Sequence, residues 1–218
     1  MLNKSRHAGS MGVDVSHPVK AAKPIGDVVK ISEEGTHWKN HYKAFDFDGN
    51  TYELEDTVLL ASDSQGRMVK PYVAMIKDIT KMETKGIMLN VQWFYRPEDA
   101  APRNGKKMEP IGARELFYSF HKDEVPAETI MHKCTVHFVT SQNHIPARKD
   151  YPGFIVQRVY DPNSNRLLKL ANNGFLREMQ EEIDLLVQKT MRRLGILSDA
   201  ESTNHVVDQE DCLEISRN

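Results

Sequence analysis

From His37 to Tyr160 the apolar residues of this chain fall in short alternating runs separated by turn signals, and no run keeps a helical period. Alternation with a period of two sends successive side chains to opposite faces of a strand, so a chain written this way must build sheets. The clearest unit is Phe45, Phe47, Tyr52 and Leu54 around Asp48-Gly49-Asn50. Asp-Gly tolerates positive φ at a tight turn, which predicts a hairpin there. Further strands are expected at Val58 to Ala61, stopped by the polar run Ser62 to Gly66, and at Tyr72 to Ile79, after Pro71. Ile87 to Tyr95 reads as the longest strand, ended by Arg96-Pro97. A polar loop runs from Glu98 to Pro110, and Thr135 to Thr140 and Phe154 to Tyr160 complete the series. Short strands at this spacing indicate an all-β barrel or sandwich. A nucleotide-binding α/β fold would need strands alternating with helices and a Gly-rich turn, and that pattern does not occur.

After residue 174 the period changes. Phe175, Met179, Ile183, Leu186, Val187, Met191 and Leu194 recur at three- or four-residue steps, which predicts one amphipathic helix over 174–194. Asn172 or Asn173 is the expected cap at its start, and Gly195 the expected glycine just past its end. Acidic residues Glu178, Glu181, Glu182 and Asp184 lie early and Lys189, Arg192 and Arg193 late, which suits the helix dipole. Such a helix either packs back on the sheets or presents a face to a partner. Residues 198–218 read as a disordered acidic tail, and residues 1–35 as a flexible N-terminal segment or the remnant of an appended linker.

Composition narrows the function. The formal net charge of the 218 residues is -2, so binding that rests on neutralising many phosphates is not expected and nucleosomal DNA is at most a weak partner. Arg103, Lys106 and Lys107, on the polar loop, are read as solvated. The two cysteines, Cys134 and Cys212, are too few for a disulfide framework or a Cys-rich zinc site. No apolar run approaches the roughly 20 residues that span a bilayer. Glu128 and His132 share helical spacing but lack a second pair, so no metal and no cofactor is expected. Nothing resembles a nucleophile elbow, a P-loop or a zinc-protease motif, and an enzyme is not expected.

The informative stretch is Val91-Gln92-Trp93-Phe94-Tyr95-Arg96-Pro97-Glu98-Asp99. On a strand Trp93 and Tyr95 face one way and Phe94 the other, so Phe94 can feed a core while two aromatics stand together opposite. The preceding strand begins Pro71-Tyr72-Val73-Ala74 and offers Tyr72 as a third wall. Three aromatic faces suit a quaternary ammonium ion such as trimethyllysine, which keeps its charge but has no N–H to satisfy. The same spacing also fits ordinary core residues, and the residues alone leave both readings open.

Taken in order, these motifs resemble those of the BAH (bromo-adjacent homology) domain. Pro71-Tyr72-Val73-Ala74 and Gln92-Trp93-Phe94-Tyr95-Arg96-Pro97-Glu98 are similar to the family's PYVA and W-x-Y-x-P-E segments. Glu115-Leu116-Phe117-Tyr118-Ser119 is similar to its ELF-x-S segment, and Ile130 to Val136 to the I-x-x-K-C-x-V strand that follows. The resemblance implies a mainly β chain, with a distorted β-barrel core over 36–161, peripheral loops, and a C-terminal extension over 162–197 that carries the helix. Within the family the chain looks most like plant readers of trimethylated lysine 27 on histone H3. That likeness implies a cage of Tyr72, Trp93 and Tyr95, with His121 and Asp123 contacting the tail residues beyond the methyl-lysine. Read from the residues alone, His121 and Asp123 are two polar residues on a loop. The resemblance further implies a nuclear protein of transcriptional repression whose partner is the histone H3 tail. The zinc-binding PHD finger that accompanies such readers has no Cys/His cluster in this sequence, so a second mark would be read by another chain, a PHD-finger or other chromatin protein in trans, or by a part of the protein outside this sequence. The alternative is a protein-interaction scaffold without methyl-lysine specificity.

Overall fold

The computed structural model describes residues 21–35, 37–62, 70–82, 85–100, 112–171 and 174–197. Residues 1–20, most of the Ser62 to Gly66 turn, the loop residues Arg103, Lys106 and Lys107, Asn172-Asn173, Cys212 and the 198–218 tail lie outside them. Among the described residues thirteen strands and one long helix follow in chain order: β1 Lys23–Ile25, β2 Lys30–Glu34, β3 His37–Tyr42, β4 Ala44–Phe47, β5 Asn50–Glu53, β6 Thr57–Leu60, β7 Tyr72–Met82, β8 Ile87–Tyr95, β9 Glu115–Pro126, β10 Ile130–Lys133, β11 Val136–Phe138, β12 Phe154–Asp161, β13 Arg166–Lys169 and α1 Arg177–Arg193. The mainly β expectation with a terminal helix therefore describes the chain.

The main path runs β10-β6-β7-β8-β9-β12-β11, with β13 on β12 and the β2–β3 hairpin on β7. A small sheet β1-β4-β5 stands apart. Among the described residues the path is open at β10 and β11, so the barrel is distorted and does not close. Asp48 (φ 52°) and Gly49 (φ 76°) both take positive φ between β4 and β5, as a two-residue hairpin turn requires. Gly153 sits at φ +120°, where an added Cβ would meet the Thr135 carbonyl oxygen at 2.5 Å, so only glycine lets β12 run beside β11.

The central strands are buried on both faces. Along β7, Ala74, Ile76 and Ile79 join Leu89 and Val91 of β8 in a first core with Phe45, Tyr52, Val58 and Ile130. Val73 and Met75 point the other way, into a second core with Phe94, Leu116, Tyr118, Phe138 and Val156. Ile183 and Leu186 of α1 close that second core, so the helix packs back on the sheet. Thr190 Oγ1 accepts the buried Phe138 N–H at 2.9 Å. The helix ends on Gly195 at φ 69°, whose N–H donates to the Arg192 carbonyl while Ile196 N–H donates to that of Met191. This is the glycine-terminated end expected from the sequence. Its start is not: Leu176 occupies the cap position and supplies no side-chain bond. Just before it, Phe175 packs on Phe120 (6.3 Å between centroids).

Two further expectations are corrected. Residues 21–34, placed in a flexible segment, contribute β1 and β2. The hairpin β2–β3 joins β7 through the antiparallel ladder of β3, Lys39↔Met82 to Tyr42↔Ile79, and through side chains: Ser32 Oγ lies 2.7 Å from His41 Nε2, and His41 Nδ1 lies 2.9 Å from Asp78 Oδ2. His121 and Asp123 lie on β9, not on a loop.

The ELF segment is buried for a specific reason. Arg158 of β12 grips Glu115 with two parallel bonds, at 2.9 and 2.8 Å, and the Glu115 side chain is only 3% exposed. The same guanidinium stacks on the Phe117 ring at 4.8 Å. Removing one partner of such a pair strands the other charge, so Arg158→Ala should cost about 3 kcal/mol in urea denaturation.

A polar chain crosses the second core. Gln92 Nε2 donates to the Tyr118 hydroxyl (2.7 Å), which donates to Glu182 Oε1 of α1 (2.6 Å), and Lys77 Nζ donates to the same oxygen at 2.9 Å. Tyr118→Phe should therefore cost about 1–3 kcal/mol, because it leaves buried partners unsatisfied. Burial pushes the Glu182 carboxyl up, but the bonds from Tyr118 and Lys77 outweigh it and hold the group below the ordinary carboxylate range. A group depressed on folding contributes stability above its unfolded value and loses it as pH falls through its folded value. Stability should fall in acid, and Glu182→Gln should flatten that acid limb in pH-dependent denaturation.

Candidate functional site

Strand β8 continues past the end of the first core. Leu89 and Val91 are fully buried, whereas Trp93, two residues on, only packs against the rim of that core and stays partly exposed. Phe94, facing oppositely, is buried against Tyr118 and Phe138 at 5.4 and 6.1 Å. The division of faces read from the sequence is thus what the strand adopts. Tyr72 opens β7 beside this end of β8, in the register Val73↔Phe94 and Ala74↔Trp93. The residue is 49% exposed, and its ring meets the Trp93 ring edge-on, 5.9 Å between centroids at 71°.

The neighbouring strand is locally longer. Gln92 pairs with Lys122 and Phe94 with Tyr118, so Ser119, Phe120 and His121 of β9 lie opposite Trp93 alone. This bulge carries His121 and Asp123 to the open face. Trp93 Nε1 donates to Asp123 Oδ2 at 2.8 Å, and the Tyr95 hydroxyl shares a 2.8 Å hydrogen bond with His121 Nδ1. His121 Nε2 lies 3.4 Å from Asp123 Oδ2. Tyr95 is braced on another side by Tyr160, edge-on at 5.1 Å. Burial, then the neighbouring Tyr160 and Asp123, pushes the Tyr95 hydroxyl above the usual phenol range, so it stays protonated at neutral pH.

Together these side chains line a pocket of about 420 Å³. Tyr72, Trp93, Tyr95, His121 and Asp123, the five residues singled out from the sequence, all line it, with Phe94 and Asp99. Asp99 was missed because it lies in the turn after β8, where only its place beside the Trp-x-Tyr strand could have marked it. That turn is held by the Asp99 N–H to the Arg96 carbonyl (2.9 Å), by Arg96 to the Pro71 carbonyl (3.0 Å) and by Lys70 with Glu98 (2.6 Å). Lys70 lowers the Glu98 carboxyl from its ordinary range.

The other sequence candidates are placed elsewhere. Cys134 is partly buried, and burial pushes its thiol up to about 11, as for an unreactive core cysteine. Among the described residues no trio of His, Cys, Asp or Glu could hold a metal, and no helix is long and apolar enough to cross a membrane.

The model of the BAH domain matches residues 50–171, more than half of the chain. The chain belongs to the BAH-domain family. The match starts inside the β4–β5 hairpin and runs through β13, later at both ends than the span expected from the motifs. The BAH region is similar to two proteins of Arabidopsis thaliana. Chromatin remodeling protein EBS is 37% identical over 82 residues, 38% of this chain and 33% of that protein. Chromatin remodeling protein SHL is 37% identical over 87 residues, 39% of this chain and 36% of that protein. The chain thus spans about a third of the length of these relatives. The crystal structure of the yeast Rsc2 BAH domain is also similar, with a TM-score of 0.47 at 20% identity, covering 59% of this chain and 54% of that one.

The Asp123 bond to Trp93 is exposed, so its loss should change stability by less than about 1 kcal/mol while freeing the indole. In a Trp38→Phe background, Asp123→Ala should raise the acrylamide quenching of Trp93 fluorescence without lowering the urea midpoint.

Proposed function

We propose that this BAH domain is a chromatin reader that takes a trimethylated lysine of the histone H3 tail, lysine 27, between the rings of Tyr72, Trp93 and Tyr95. One observation carries the reading: three aromatic side chains line one solvent-open pocket, and two of them are held by hydrogen bonds to neighbouring polar residues. Ring faces attract a cation through their quadrupole, at roughly 0.5 to 2 kcal/mol per contact depending on desolvation. A trimethylammonium loses little hydration on entry, whereas an unmodified ammonium would surrender a strong shell. After the ordering of a flexible tail, affinity in the micromolar range, about 8 kcal/mol, is expected.

Asp123 and His121 stand beside the cage and serve twice, fixing the rings and contacting the tail residues that follow the lysine. Lysines 9 and 27 of histone H3 share the same immediate neighbours, so the choice of lysine 27 rests on those outer contacts and on the likeness to plant readers. The two similar Arabidopsis proteins are named for chromatin remodeling, which supports a nuclear role on chromatin, and repression of transcription follows from the likeness to the plant readers. A PHD-finger or other chromatin protein would be engaged in trans, and the net charge of -2 leaves little for nucleosomal DNA.

Calorimetry with histone H3 peptides tests this. Binding of the trimethyl-lysine-27 peptide at least about tenfold tighter than the unmodified one is expected, a difference of about 1.4 kcal/mol. Trp93→Ala should abolish that binding while the domain stays folded. Equal affinity for both peptides would instead favour an interaction scaffold without methyl-lysine preference.

A further inference from the structure

Away from the aromatic pocket, the end of α1 and the loop before β12 gather basic side chains that few carboxylates answer. The Tyr151 hydroxyl donates to the Leu194 carbonyl at 3.4 Å, and Asn143 Nδ2 lies 3.6 Å from Met191 Sδ, so this loop rests against the last turn of the helix. Arg114 enters the loop from just before β9, donating to the carbonyls of Pro146, Tyr151 and Gly153 at 2.6, 3.0 and 3.2 Å. Arg193 donates to the Val136 carbonyl at 3.2 Å. All four acceptors are neutral, so both guanidinium charges are held in place without being cancelled. Both act on the buried His137 imidazole, which burial holds below its ordinary range and Arg193 and Arg114 lower further, against the bond to the Pro152 carbonyl.

Arg148 and Lys149 extend the positive surface. Both are exposed in the turn closed by the Asp150 and Tyr151 N–H groups on the Ala147 carbonyl, at 3.2 and 2.9 Å. Among the described residues neither pairs with a carboxylate, and Asp150 is the only acid of residues 140–153. Arg192 and Arg193 are exposed on the helix beside them. A helix C-terminus is itself negative. Here its carbonyls are closed by the N–H groups of Leu194, Gly195 and Ile196 and by the Tyr151 hydroxyl, so the arginines and the lysine set the sign of the surface.

We propose that this basic patch is the docking surface for the acidic segment 198–218 of the same chain. Charge selects that occupant: Asp199, Glu201, Asp208, Glu210, Asp211 and Glu214 stand against one cation, Arg217. So does position, because the described chain ends at Leu197, on the turn that carries the patch. Chain at about 3.3 Å per residue brings Asp208 to Glu214 well within reach of Arg148 and Lys149. Tethering gives the segment a local concentration on the order of millimolar, which a polyanion from another molecule has to exceed. Single exposed ion pairs are weak, so several act together and salt releases them.

The segment carries its own probe site. Cys212 lies in it, whereas Cys134 is partly buried with its thiol pushed up to about 11, so a maleimide nitroxide at neutral pH labels Cys212. In the full chain labelled this way, paramagnetic relaxation is read at the amides of Ala147, Asp150 and Tyr151. At about 20 mM salt it should be at least about threefold faster than in the double variant Arg148→Glu, Lys149→Glu, and the difference should vanish near 1 M salt, where the screening length is about 3 Å. Equal rates in the two proteins at low salt overturn the proposal, as does an enhancement that persists at high salt. Equal rates together with weaker binding of duplex DNA by the double variant would give the patch to DNA instead. Each of these outcomes is independent of whether the aromatic pocket reads methyl-lysine.

Discussion

The architecture depends on β7 and β8 being buried on both faces. One face of the pair faces the core built with the β4–β5 hairpin and β10, and the other faces the core sealed by α1. The strands are longer than the first of these cores. At Trp93 and Tyr72 the apolar layer on that face ends while the strands continue, and rings that would otherwise be interior are left at a solvent-facing rim. The pocket is a by-product of that overrun, with one side of each ring supported by the fold and the other available.

Support comes from both sides of the sheet. Phe94, next to Trp93, is locked among Tyr118 and Phe138, and Gln92 is bonded to the Tyr118 hydroxyl that also holds α1 through Glu182. The helix therefore sits directly behind the strand that carries the two central rings. On the near side the rings are braced by polar partners on β9 and by Tyr160. Rigidity of this kind favours a preformed site, in which little ordering is left for the moment of binding.

Much of this was legible in the sequence where apolar alternation and turn chemistry agreed. The bounds of β8, Ile87 to Tyr95, and the Asp48-Gly49 turn are read directly from pattern. Strand β9 escaped reading by residue alone because its outer part, His121 to Glu124, leaves the core and is polar on both faces. Strands β2 and β3 escaped for a related reason: they are held by the backbone ladder of β3 with β7 and by the Ser32, His41 and Asp78 side chains, which leave no apolar period. Within the site, Tyr72, Trp93 and Tyr95 follow from which way alternate residues face, once the family resemblance marks them. Asp99 does not, since a residue in a turn acquires its direction only from the folded chain.

The bulge on β9 sets three residues against one, an excess of two. Because strand faces alternate in pairs, an even excess returns the chain to the same phase: Lys122 stays with Gln92 on the helix side, and Asp123 stays with Val91 on the other. A change of length by two residues between Tyr118 and Lys122 therefore lets the rim vary while the strand on either side keeps its facing.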